Sequence, residues 1–206
     1  MENDELLGAA SCTTNAIVPT LKVLNDEFDI QSGHIESVHS YTNDQNLIDN
    51  FHKKVRRGRS AALNMVITET GAGKAVGQVL PELQGKLTAN AVRVPTPNVS
   101  LAIINLRFAK DITLEELNDF LRQKAFHSDL KEQIGFTNSP EVVSTDFVGD
   151  RHAGIIDSAA TIVNGNKCVL YVWYDNEFGY TAQLLGLAKE MVGLTYQRYP
   201  NFSEST

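Results

Sequence analysis

The turn at residues 10–15 and the helix pattern behind it constrain this chain more than any other stretch. Leu6 and Leu7 form a short apolar pair, and the small, hydroxyl-rich run Ala10-Ser11-Cys12-Thr13-Thr14-Asn15 follows. Ile17, Leu21, Leu24 and Phe28 then recur at spacings of three and four, the signature of an amphipathic helix laid on a core. Cys12 therefore falls just before or on the first turn of that helix. Unpaired backbone N–H groups and the positive end of the helix dipole favour an anion there. A thiol so placed is expected to lose its proton more easily, and the thiolate is the reactive form. The other reading of Cys12 is a small buried residue at a junction, where free cysteines are common. This stretch alone supports both.

Strand patterns fill much of the remaining chain. They are expected at 34–42, 87–94, 100–108, 141–147, 158–163 and 167–174, with Asn164-Gly165-Asn166 as a hairpin turn between the last two. Residues 29–32 read as a loop. Further helices are expected from about 74 to 80, stopping before Pro81, and from a capping box at Thr113 and Glu116 to Phe126. A last helix carries Leu184, Leu185, Leu187, Met191 and Leu194. Residues 42–59 are polar and aperiodic, as functional or interfacial loops often are. This mixture predicts an α+β fold: a mostly antiparallel or mixed sheet with helices covering one face.

Composition bounds the function classes. With 206 residues, 42% of them apolar, the chain suits one ordinary globular domain or two. A net charge of −7 argues against general nucleic-acid binding, and the basic cluster from His52 to Arg59 stands out against it. Two cysteines, Cys12 and Cys168, are too few for a disulfide framework and suit a reducing compartment. No apolar run approaches the roughly 18 residues of a membrane span. The acidic start lacks a secretory layout, so the expected location is cytoplasmic.

A nucleophilic Cys12 needs a base, and the chain offers His34, His39, His52, His127 and His152. His39 is the best placed, near the end of a strand and before a polar loop. His34 and His152 sit in loop-like sequence and are expected to be solvated, while His127 follows a helix. No Cys/His spacing resembles a zinc site. Ser11, Thr13, Thr70 and Gly71 offer hydroxyls and N–H groups suited to phosphate oxygens, and Arg57 and Arg93 offer planar bidentate contacts. The plainer alternative makes Ser11 and Thr70 helix caps and the arginine cluster a solvated face. Gly71-Ala72-Gly73-Lys74 fails the phosphate-loop pattern, and no Gly-x-Gly-x-x-Gly follows a strand.

Six blocks now carry a resemblance. They are residues 10–15, His39-Ser40-Tyr41-Thr42-Asn43-Asp44-Gln45, Arg56-Arg57-Gly58-Arg59, Thr70-Gly71-Ala72-Gly73-Lys74-Ala75-Val76-Gly77, Arg93-Val94-Pro95-Thr96-Pro97-Asn98 and Trp173-Tyr174-Asp175-Asn176-Glu177-Phe178-Gly179-Tyr180. In that order they resemble the catalytic, carboxy-terminal domain of phosphorylating glyceraldehyde-3-phosphate dehydrogenases, over about residues 7–194. The resemblance implies that Cys12 attacks the aldehyde of D-glyceraldehyde 3-phosphate and that His39 handles the proton. Hydride passes to NAD, with NADP not excluded, and inorganic phosphate attacks the thioester to give 1,3-bisphosphoglycerate. It implies that Thr42 and Arg93 hold the substrate's phosphate, and that Ser11, Thr13, Thr70, Gly71 and Arg57 hold the attacking phosphate. It also implies that Asn176 bonds the nicotinamide carboxamide and that Tyr180 packs near that ring. The loop at about 43–59 would line a cofactor pocket and a subunit interface of a homo-oligomer, a tetramer in the intact family.

The family's Rossmann half, expected at about 100–150 residues, does not appear in this sequence. The chain thus reads as an expressed piece, with residues 1–6 a leader whose Met1 is an added start and residues 195–206 a tail. Alone it is expected to be inactive or nearly so, and to self-associate through faces meant for the other half. Thr68-Glu69 departs from the small residues common before Thr70, Gly73 replaces a usual alanine, and the tail is longer than most relatives carry. Two alternatives stand beside this reading: a preference for erythrose 4-phosphate, and a non-catalytic assembly or redox-sensing role through Cys12.

Overall fold

A computed structural model describes residues 7–194; the expected leader and tail lie outside the described residues. Helix α1 (Cys12–Phe28) starts where Ser11, in extended conformation, accepts the Thr14 N–H on its side chain. It ends at Asp29, whose φ of 53° turns the chain left-handed in a single residue. Strand β1 (Ile30–Ser40) therefore begins at once, and the loop expected at 29–32 is absent. A register shift between Ile30 and Ser32 breaks the alternation there, which is why the polar residues 31–33 do not look like strand.

The next elements are β2 (Val66–Thr68), α2 (Ala72–Val79), β3 (Leu87–Val94), β4 (Ser100–Phe108) and α3 (Leu114–His127). The chain then runs through β5 (Ile134–Thr137), β6 (Gly154–Asp157), β7 (Ile162–Asn164), β8 (Lys167–Tyr174) and α4 (Phe178–Met191). All strands join one mixed sheet in the order β2-β3-β1-β4-β8-β6-β5, with β7 paired to β8. β3 and β4 have the predicted bounds, yet they do not pair. β1 lies between them, parallel to β3 and antiparallel to β4. The capping box of α3 forms as read, with Thr113 and Glu116 bonding reciprocally. The hairpin turns at Gly165, where φ is +60°.

Other expectations need correction. Residues 141–147 are not a strand; only a short 3-10 turn, Ser144–Phe147, forms there, with the Asp146 carboxylate taking the Val143 N–H. The strand expected at 158–163 shrinks to β7, because Asp157 accepts the Ala160 N–H and turns the chain first. β5 and β6 carry no strand pattern in the sequence. All four residues of β6 are buried, so it shows no two-residue alternation.

Helices cover one face of the sheet. Ser100, Ala102, Ile104, Leu106 and Phe108 of β4 point inward and are buried, alternating with partly exposed neighbours. Ile17, Leu21 and Leu24 of α1, Leu117 and Leu121 of α3, and Leu170 and Val172 of β8 complete this core. Phe28 packs between Phe108 and Phe120, with ring centroids at 5.4 and 5.1 Å. Burying one such side chain contributes about 2 kcal/mol, and α1 places four of them, Ile17, Leu21, Leu24 and Phe28, at 2% exposure or less. Gly154 lets α1 lie directly on β6, since a Cβ there would stand 2.6 Å from the Ala16 carbonyl oxygen. Leu184, Leu185, Met191 and Val192 of the last helix segment stay exposed, as do Leu47, Ile48, Phe51 and Val55 of the polar loop. Among the described residues no helix is long and apolar enough to cross a membrane.

Candidate active site

The amino terminus of α1 stands over the end of β1. Ile35, Ser37 and His39 share the helix-facing side of that strand by simple alternation, so apolar packing gives way to polar groups beneath Cys12. The Cys12 Sγ lies 3.5 Å from His39 Nε2. Tyr174, buried at the end of β8, shares hydrogen bonds with Thr13 Oγ1 at 3.0 Å and Ser37 Oγ at 2.9 Å. Its ring meets His39 edge-on, with centroids 6.0 Å apart.

Parallel pairing of β1 and β3 places Arg93 directly opposite His39. Arg93 Nη1 is 2.8 Å from His39 Nδ1, 3.0 Å from the Ser40 carbonyl oxygen and 3.5 Å from Thr42 Oγ1. Arg93 Nε is buried and has no partner. Arg57, on the short turn Val55–Gly58, is the one buried arginine of its cluster; Arg56 and Arg59 remain exposed. Its Nε donates to Thr68 Oγ1 at 2.9 Å, its Nη2 to the Glu69 carbonyl oxygen at 3.5 Å, and its Nη1 pairs with the Asp44 carboxylate.

These groups enclose a cavity of about 490 Å³. Ser11, Cys12, Thr13, His39, Arg57, Thr70, Gly71 and Arg93 all line it, so eight residues singled out from sequence converge. Thr42 reaches the same place through Arg93. The Ser11 and Thr13 hydroxyls are engaged locally, in the α1 cap and with Tyr174, and Thr70 Oγ1 accepts the Ala72 N–H. The cap reading thus holds for Ser11. Gly71 caps α2 and would tolerate a Cβ, with nothing within 4 Å.

Asn176 and Tyr180 are not among the cavity-lining residues. Asn176 Oδ1 accepts the hydroxyls of Ser40 and Ser100, both at 2.8 Å, and its Nδ2 donates to Glu177 Oε1 at 3.4 Å. Tyr180 sits on the first turn of α4, half-buried. The remaining histidines lie elsewhere. His34 is in β1, bonded to Thr88 and Asn90, rather than in the loop expected; His152 does lie in a loop before β6, half-buried and paired with Asp150 at 2.8 Å.

Burial reverses the expected ionisation of Cys12. Desolvation pushes the thiol above its ordinary value, outweighing the hydrogen bonds at Thr13 and the Arg93 charge. His39 is pushed down to about 4, first by burial and then by the Arg93 charge, against the support of the Ser40 carbonyl. At neutral pH these shifts favour a neutral thiol facing a neutral imidazole. Burial pushes Cys168 up to about 12, far from any reactive range.

Two supporting residues escaped the sequence reading. Tyr174 continues the inward series Cys168, Leu170 and Val172, and a tyrosine on an inward strand face needs a partner for its hydroxyl. Asp175 is 2% exposed, and its carboxylate accepts from Asn98 Nδ2 and the backbone N–H groups of Gly149, Glu177 and Phe178. An Asp three residues before a helix, placed to accept the N–H groups two and three residues on, signals this kind of cap.

An α+β domain with a mixed sheet and a cysteine–histidine pair between two guanidinium groups defines the class. The family model described as glyceraldehyde 3-phosphate dehydrogenase, C-terminal domain, matches residues 11–176. The chain belongs to this family. It is 63% identical over 198 residues to a glyceraldehyde-3-phosphate dehydrogenase-like protein of Pseudomonas aeruginosa, covering 96% of this chain and 43% of that one. It is 46% identical over 187 residues to glyceraldehyde-3-phosphate dehydrogenase 1 of Bacillus subtilis, covering 90% of this chain and 55% of that protein. A Priestia megaterium glyceraldehyde-3-phosphate dehydrogenase is also 46% identical, over 91% of this chain and 56% of its own. The chain spans about half the length of these relatives.

Proposed function

We propose that this chain supplies the catalytic half of an NAD-linked oxidoreductase that converts D-glyceraldehyde 3-phosphate and inorganic phosphate to 1,3-bisphosphoglycerate. The observation that carries the reading is the Cys12–His39 contact at 3.5 Å, inside a cavity that also holds Arg57 and Arg93. The unpartnered Nε of Arg93 is a buried donor awaiting an anion, as the phosphate of the aldehyde would supply.

Cys12 sulfur attacks the aldehyde carbon while its proton passes to His39, which returns it to the former carbonyl oxygen to give a neutral hemithioacetal. His39 then removes the proton of the new hydroxyl as the C–H bond breaks, and the carbon becomes a thioester on Cys12. Arg93 and Thr42 hold the substrate's phosphate and so fix the carbon over the sulfur. Inorganic phosphate, held beside Arg57, Thr70, Gly71 and the rim hydroxyls of Ser11 and Thr13, attacks the thioester, and the Cys12 thiolate leaves. Bound NAD supplies the hydride acceptor. Asn176 fits its carboxamide, since two serine hydroxyls occupy Oδ1 while Nδ2 is engaged only by a long 3.4 Å contact to Glu177, and Tyr180 stands nearby on α4. The adenine and pyrophosphate require a separate dinucleotide-binding domain, so this chain alone turns over slowly or not at all. Exposed apolar side chains on the 47–55 loop suit a homo-oligomeric contact, and two free thiols suit the cytoplasm. A redox-sensing role is disfavoured by the raised Cys12 thiol, because oxidants react with the thiolate.

The test needs no cofactor. An activated ester, p-nitrophenyl acetate, should acylate the chain once at Cys12, with Cys12→Ser abolishing the burst and His39→Gln slowing it by about 10²-fold or more. An equal burst in Cys12→Ser rejects the reading. Joined to its dinucleotide-binding half, the chain should form NADH only with both glyceraldehyde 3-phosphate and phosphate, and faster than with erythrose 4-phosphate.

A further inference from the structure

We propose that Asn15 is a positioning residue for the nucleophile: its side-chain amide clamps a left-handed turn at Ala10, and so fixes where α1 begins and where Cys12 stands. The inference rests on the proposed role of Cys12. Asn15 itself is not among the residues lining the catalytic cavity.

The backbone motivates it. Ala10 has a φ of 56°, in the left-handed region where a Cβ crowds the following carbonyl oxygen. That crowding disfavours the conformation by roughly tenfold for an alanine. Ala10 is exposed, so packing does not force it there. The two other described non-glycine residues with positive φ differ: Asp29 closes α1, and Val99 is buried with Phe147 and Ile155. Ser11 returns to the extended region, with φ −124°, and caps the helix, whose first residue is Cys12. Only Ser11 therefore separates the left-handed turn from the sulfur-bearing residue.

Asn15 holds both sides of that turn. Its Nδ2 donates to the Ala9 carbonyl at 2.7 Å and to the Ser11 carbonyl at 2.9 Å, so the two N–H bonds of one amide grip the chain on either side of Ala10. The reversed amide would set its oxygen against two carbonyl oxygens, which fixes the orientation. The Asn15 backbone N–H reaches the same Ser11 carbonyl at 2.9 Å and closes the first turn of α1. An aspartate could not donate at all, and a serine could donate only once. Two neutral hydrogen bonds together oppose the left-handed cost by roughly tenfold or more. Cys12 depends on the outcome because its sulfur must stay 3.5 Å from His39 Nε2, on another element. Without the clamp Ala10 relaxes to negative φ, Ser11 and Cys12 swing with it, and a displacement of about 1 Å can cost about a hundredfold in rate.

A double-mutant cycle on the full chain tests this, read by the burst of Cys12 acylation with p-nitrophenyl acetate. Glycine takes positive φ at no steric cost, so Ala10→Gly removes the need for a clamp. Asn15→Ala alone should slow the burst about tenfold. Added to Ala10→Gly, the same substitution should slow it by no more than about twofold relative to Ala10→Gly alone. An Asn15 that only supported the fold would lower the urea midpoint without this rescue. Equal losses in the two backgrounds overturn the proposal, as does an Asn15→Ala burst at the rate of the unsubstituted protein. Ala10→Gly alone should leave the urea midpoint unchanged or raise it. A clear drop there overturns the proposal even if Asn15→Ala fails to fold. A missing burst in the unsubstituted protein sinks the nucleophile reading and this inference with it, whereas a normal burst with equal losses sinks the clamp alone.

Discussion

Acid should destabilise this fold through His39, by an amount that the site itself sets. His39 is 6% exposed and its folded value lies at about 4, against 6.5 for an ordinary histidine. The unfolded chain therefore binds a proton as pH falls through 6.5 while the folded chain does not, and stability drops across that window. The loss is complete below about pH 4, where both states are protonated. The full gap is worth about 3 kcal/mol, and the part expressed between about pH 7.5 and about pH 5 is about 2 kcal/mol. Urea unfolding measures it. With a slope of about 2 kcal/mol per molar urea, the midpoint should fall by about 1 M over that range from this residue alone. Other groups also titrate, and His152 has the opposite sign. Its pairing with Asp150 raises its folded value, so that contribution is present at low pH and lost as pH rises through the folded value. Comparison with His39→Gln cancels those terms, because the variant keeps them and loses only the titrating ring. The protein and His39→Gln should diverge by about 2 kcal/mol in their pH dependence. Parallel curves would refute the claim that burial and Arg93 hold His39 neutral.

Three more outcomes follow from packing. Gly154→Ala should cost about 3 kcal/mol in thermal unfolding, because its Cβ would meet the Ala16 carbonyl oxygen at 2.6 Å and Val172 Cγ1 at 2.7 Å; an unchanged melting temperature would mean that α1 is not seated on β6 as described. Asp175→Asn should cost about 2–3 kcal/mol in urea, since an amide NH₂ would face N–H donors that now share two carboxylate oxygens. Leu185→Lys should reduce concentration-dependent light scattering, because Leu185 is among the exposed apolar side chains of α4; scattering that is flat with concentration in the unsubstituted chain would rule out association through that face.

Local physics made much of this protein legible from its sequence alone. Cys12 at a helix start, the capping box at Thr113, the bounds of β3, β4 and β8, and the hairpin at Gly165 all depend on caps, turn chemistry and periodicity within a few residues. The ordered blocks around Cys12, His39, Arg57, Thr70 and Arg93 marked residues that the fold brings to one cavity. Only the tertiary structure decided that β1 runs between β3 and β4, which sets Arg93 against His39. It also decided that buried β6 is a strand and that Arg57, rather than Arg56 or Arg59, turns inward. The ionisation of Cys12 shows the reason most plainly. A helix start by itself favours the thiolate, but desolvation depends on every atom that shields the sulfur from water, and His39 and Arg93, far away in the chain, are brought to the same cavity.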